Sequence, residues 1–209
     1  MTSTPRYLVN PRLRETPRYV AVHEAGHAVA RWALSPDLSE PFDRIFIRTP
    51  REAAAPPYVI GGVEGRLFYQ PFGCYLPDRT LLDLLDFQRE DMEREVIDCF
   101  AGPVAEARAR HISLYRALTE GGSQDCDAAH SALKDFYRPG AELDAASDAL
   151  LKRAVKLVSQ HWSAINALAD ELMDRRSLSG DEAVAVMHGW RRLSIAGSPA
   201  SKQAETITA

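Results

Sequence analysis

His23 and His27 stand four residues apart in the stretch "RYVAVHEAGHAVARWAL", Arg18 to Leu34, and Glu24 directly follows the first of them. On an α-helix, residues i and i+4 lie one above the other on the same face, so both imidazoles can reach one metal ion. Glu24 lies about 100° further round the helix, beside the two ligands, where a carboxylate can take a proton from a metal-bound water. Catalytic zinc takes three protein ligands and leaves a position for water. The metal brings that water's pKa towards 7 and polarises a carbonyl, which is the chemistry of peptide-bond hydrolysis. The extended form of the motif would need Gly at position 30 and His at 33, and Ala30 and Ala33 exclude it. A third ligand therefore has to come from elsewhere. The candidates are His111, His130, His161, His188, Glu106 in "CFAGPVAEARA", and the carboxylates Glu120, Asp125 and Asp127 in "TEGGSQDCDAAH".

The elements that must position these groups are mostly helical. Thr16 suits an N-cap and Pro17 the first helical position, where its missing N–H costs nothing; Pro36 marks a stop. Residues 1–16, rich in Pro and Arg, read as an extended lead-in. "DRIFIRTP", a Pro-rich link "AAAPP" and "YVIGGVEGRLFYQPF" read as a small hairpin or three-stranded sheet. The stretch from Val63 to Tyr69 offers a strand edge to an extended peptide through Val63, Gly65 and Leu67, or else only covers the core. From Asp78 the chain turns helical, with Leu81, Leu84, Leu85, Val96, Phe100 and Val104 at helical spacing and a charged middle that suggests two helices. A helix is expected from near Gln124 to Tyr137, a long one over 142–176, and a last one over 180–194 opened by a Ser179–Glu182 capping box. The domain spans 17–194, and the polar tail 195–209 reads as disordered.

Composition narrows the classes. The chain has 209 residues, 45% of them hydrophobic, enough for one core. A net charge of −4 gives no electrostatic footprint for nucleic acid. No apolar run approaches the ~18 residues of a membrane span, and the N-terminus has no apolar signal-peptide core. Cys74, Cys99 and Cys126 are odd in number and widely spaced, which suggests reduced thiols and a cytoplasmic protein.

Four segments, in order, resemble the proteolytic domain of the FtsH-type ATP-dependent zinc metallopeptidases. "VAVHEAGHAVA" is similar to that family's "vAyHEaGHAl" helix, "FAGPVAEARA" to its "GGRAAEE", and "EGGSQDCDAAHSALKDF" to its "GASNDLxxATxxAxxMV". "HWSAINALADELMDRRSLSGDEAVAVM" resembles its closing helices, and "FDRIFIRTP" with "GGVEG" its hairpin. The resemblance implies a mainly α, zincin-like helical metallopeptidase domain with a small β element. It implies Zn2+ held by His23, His27 and Asp125, with Glu24 as general base. Asp125, after a glycine turn at a helix start, is well placed for aiming a short carboxylate. Glu106, among small neighbours, is expected to accept an N–H from a ligand imidazole, or else to be the ligand itself.

The chain departs from the family in several places. It carries no G-x-x-x-x-G-K-[ST] phosphate loop, so no ATP site is expected. "SQD" stands for "SND" and "AGP" for "GGR", and Pro103 is expected to alter how Glu106 is presented. The expectation is a stand-alone zinc peptidase acting on flexible peptides or unfolded protein, able to form an oligomer. The alternative is a non-catalytic module of the same fold that binds a partner protein.

Overall fold

The computed structural model describes residues 17–35, 41–48, 61–65, 67–68 and 81–196. The lead-in with its Thr16 cap, Pro36, the "AAAPP" link and the tail beyond Ala196 lie outside the described residues. Helix α1 (Pro17–Leu34) opens at its proline. Its buried positions are mostly small, Ala21, Ala25, Ala28 and Ala30 among them, so neighbouring backbones can come close on every side. It is the central element, packed chiefly against two helices and the sheet.

Helix α2 (Leu81–Arg110) is one helix of 30 residues, where two were expected. Arg89 and Glu90 face solvent, while Met92, Val96 and Phe100 carry the buried stripe straight through the charged stretch. A short helix α3 (Leu114–Glu120), absent from the sequence reading, is capped by Ser113, whose Oγ accepts from Arg116 N at 3.2 Å. Helix α4 (Ser123–Leu133) stops short of the expected Tyr137, and a turn closed by Tyr137 N to Leu133 O at 2.9 Å follows.

The helix expected over 142–176 is two, α5 (Ala141–Gln160) and α6 (Trp162–Arg175). The break is His161, at φ −108°, ψ 16°. It serves packing, since α5 lies on α2 whereas α6 lies on α1. The apolar spacing runs unbroken through the change of direction, which is why periodicity hides it.

Strands β1 (Arg44–Ile47), β2 (Gly61–Glu64) and β3 (Ser177–Ser179) form an antiparallel sheet in the order β2-β1-β3. Ile45 pairs with Val63 on one side and Leu178 on the other. The third strand thus comes from the far end of the domain and not from the two pieces first assigned to the sheet. It leads into α7 (Gly180–Ala196) through the expected capping box: Ser179 N donates to Glu182 Oε2 at 2.9 Å and Glu182 N to Ser179 Oγ at 3.3 Å. The molecule is mainly helical, and no helix among the described residues is long and apolar enough to cross a membrane.

Candidate metal centre

Helices α1 and α2 run antiparallel and match polar groups one turn at a time. On α1 the stripe is His23, His27, Arg31; on α2 it is Glu106, Gly102, Asp98. Steps of four drift only about 40° round a helix, so each set forms one nearly straight row. His23 Nδ1 lies 3.0 Å from Glu106 Oε2. His27 Nδ1 lies 2.8 Å from the Asp98 carbonyl oxygen and 3.3 Å from Asp98 Oδ1. Arg31 Nε donates to Asp98 Oδ2 at 2.8 Å. Arg110 holds the other Glu106 oxygen, Oε1, and stacks over Tyr19.

Carbonyl and carboxylate oxygens here only accept, so Nδ1 carries a hydrogen on both rings, and each ring, once it gives up its second proton, turns a lone pair outward at Nε2. The two Nε2 atoms are 3.2 Å apart. Asp125 Oδ2, from the first turn of α4, is 3.2 Å from His23 Nε2 and 3.8 Å from His27 Nε2. With both rings neutral, three acceptors point at one spot and repel unless a cation, protons or a metal ion, lies between them. Tetrahedral ligands at zinc–nitrogen and zinc–oxygen bond lengths are about 3.3 Å from one another, so the donor set fits a small divalent ion in both chemistry and spacing. His23, His27 and Asp125 are the one such group of three or more His, Cys, Asp or Glu side chains among the described residues.

The titration behaviour has the same origin. Burial disfavours the His27 imidazolium, but the Asp125 charge and hydrogen bonds to Asp125 and Asp98 outweigh it and push the ring up to about 10. His23 is likewise held well above its ordinary value: burial opposes the charge, and hydrogen bonds to Asp125 and Glu106 overcome it. Asp125 is held far down, as His27 and His23 outweigh its own burial. The site attracts positive charge, whether as protons or as a metal.

Close approach depends on glycines. A Cβ on Gly102 would lie 2.2 Å from His27 Nε2 and 2.8 Å from His23 Nε2, and one on Gly26 would lie 2.7 Å from the Ala101 carbonyl oxygen. Glu24 lies within charge range of His23, His27 and Asp125 and beneath β2, where a Cβ on Gly61 would lie 2.7 Å from its Cγ and Oε1. Burial raises the Glu24 carboxyl above its usual range against the pull of His23 and His27.

Of the three positions assigned to a substrate strand, β2 contains Val63 alone, and Val63 is buried. The strand ends at Glu64 because Gly65 turns the chain at φ +152°, and Leu67 lies beyond the turn. Asp127 is exposed, and His130 bonds through Nδ1 to the Cys126 carbonyl oxygen of its own helix at 2.9 Å. Burial and the Asp125 and Asp127 charges push the Cys126 thiol up to about 11, so it does not offer a thiolate. The Pro103 ring abuts Gly122 at the start of α4, where a Cβ would lie 2.3 Å from Pro103 Cγ.

Sequence reading missed Asp98, Arg31 and the glycines at 61 and 102. A signal exists for the first two. Arg31 continues the His23–His27 spacing, and Asp98 and Glu106, two turns apart, interrupt an otherwise apolar run from Val96 to Ala107. No family model matches the chain, and no curated protein matches it at a significant level.

Proposed function

We propose that this chain is a zinc-dependent metallopeptidase with a zincin-like domain, acting on flexible or unfolded polypeptide. The observation that carries the reading is the convergence of His23 Nε2, His27 Nε2 and Asp125 Oδ2, with the Glu24 carboxyl within charge range of all three. The resemblance of four ordered segments to the FtsH-type peptidases supports it. When bound, zinc supplies Lewis acidity toward a water and toward a peptide carbonyl.

The protein's own residues do the rest. Glu106 and Asp98 accept the Nδ1 hydrogens and hold both rings in the tautomer that leaves Nε2 free to coordinate. Arg31 neutralises Asp98, and Arg110 neutralises Glu106, so neither buried carboxylate draws a proton away from the rings. Glu24 accepts a proton from the attacking water at its carboxylate and delivers it to the leaving amine; its raised affinity for protons suits both halves of that transfer. The peptide is taken up along β2, whose outer side faces no other strand among the described residues and whose Gly61 adjoins Glu24.

The test is zinc content and hydrolysis of a casein-derived peptide, compared between wild type and Glu24→Gln. One zinc in each, with cleavage by wild type alone, supports the reading. Zinc without cleavage in either transfers the fold to a partner-binding role, and absence of zinc removes the metal centre altogether.

A further inference from the structure

The two histidines and Asp125 come from different elements, α1 and α4, and both elements lean on the same turn of α2. Gly102 and Pro103 are consecutive there. Gly102 meets the imidazole tips. Pro103 meets Gly122, the residue that opens α4: a Cβ on Gly122 would lie 2.3 Å from Pro103 Cγ and 2.8 Å from its Cβ. Gly122 has φ −95° and ψ 19°, which any residue adopts, so the backbone does not call for glycine at this place. Space does.

Gly122 is buried and cannot shift alone. Its N–H donates to the Ala117 carbonyl of α3 at 2.9 Å, and its own carbonyl accepts from Cys126 N of α4 at 2.9 Å. Any displacement of Gly122 therefore carries the first turn of α4, and Asp125 with it. The opposing surface yields little, because a proline ring is fused to the backbone and can shift only between two puckers. Proline inside a helix costs about 3 kcal/mol, so packing must offset its presence at position 103.

We infer that Pro103 and Gly122 form a contact spacer that sets how near Asp125 stands to His23 and His27. They are positioning residues for the metal centre, and the inference rests on the metal-binding reading above. A spacer has a signature that general packing lacks. Overfilling the contact and emptying it both weaken metal binding, and doing both together restores it.

The experiment measures zinc affinity by competition with a chromophoric chelator, and the visible spectrum of the Co2+ form, for wild type, Gly122→Ala, Pro103→Gly and the double variant. Circular dichroism reports whether each is folded. Gly122→Ala is expected to weaken zinc binding about tenfold or more, Pro103→Gly by a smaller factor, and the double variant to recover most of the loss with a wild-type Co2+ spectrum. Should Gly122→Ala not fold, the double variant decides: affinity above that of Pro103→Gly supports the spacer, and affinity below it overturns it. Folded single variants that bind zinc like wild type overturn the spacer and leave the metal reading standing. A wild type that binds no zinc overturns both.

Discussion

Helix α1 presents two unlike faces to the two helices it packs most closely against. Towards α2 it offers His23, His27 and Arg31, each paired with a charged or carbonyl partner at 2.8 to 3.3 Å. The opposite side, by helical periodicity, carries Ala21, Ala25 and Ala28, and α6 brings Ile165, Leu168, Ala169 and Leu172, all fully buried, against α1. The apolar seam gains free energy from removing hydrocarbon from water. The polar seam desolvates at least five ionisable groups, and such pairs contribute little net stability against well-packed apolar residues. One seam holds the fold together and the other holds a site in place, at a cost in stability that the first offsets.

Asp98→Asn tests the polar seam most severely. It keeps an acceptor for His27 but leaves the buried Arg31 guanidinium short of its counter-charge. Breaking such a pair costs about 3–5 kcal/mol, and losing a partner that orients a ligand costs about tenfold or more in metal affinity. Urea unfolding in chelator and a zinc titration should both register the change; an effect on one alone breaks the proposed link between pairing and metal. Leu168→Ala is the matching lesion in the apolar seam. It is expected to remove about 3 kcal/mol of unfolding free energy while zinc affinity of the folded protein stays at the wild-type value. A large loss of affinity there would show that the two seams are not separable. Gly102→Ala reverses the pattern. The added methyl displaces both imidazole tips, so zinc affinity should fall about a hundredfold, whereas the helix loses nothing by the exchange of glycine for alanine.

Parts of both seams are legible in the chain and parts are not. The spacing of His23, Glu24 and His27 is local, and a helix that starts at Pro17 turns it directly into geometry. The Ser179–Glu182 box is local as well, and α7 starts where it says. Asp98 is different. It reads as one more charge in a charged helix until α1 is laid against it, because its role depends on a partner from another part of the chain. The same holds for β3, three residues long with no strand pattern of its own, which exists because β1 needs a neighbour at Arg44–Phe46. Gly61, Gly102 and Gly122 are illegible for a related reason. Their importance lies in what a Cβ would strike, and that requires the opposing surface.

The smallest expected effect lies outside both seams, at the start of α7. A hydrogen bond from Arg175, followed by one from Ser179 N, holds the exposed Glu182 carboxyl down at about 2 from its usual 4.5. A folded-state pKa below the unfolded one contributes stability that is present above pH 4.5 and is lost as pH falls toward 2. Glu182→Gln should therefore lower the melting temperature slightly at neutral pH and match wild type near pH 2, with the difference shrinking in high salt. A difference that persists at low pH would assign it to the cap geometry and not to charge.

His23, His27 and Asp125 are proposed to hold one metal ion. A zinc titration of the chelator-treated protein, with His27→Ala, Asp125→Ala and Glu24→Gln alongside, tests it most directly. One tight zinc per chain is expected in wild type and in Glu24→Gln, with affinity at least about a hundredfold weaker in the other two variants. Equal zinc binding by wild type and both ligand variants, or none by wild type, would contradict it.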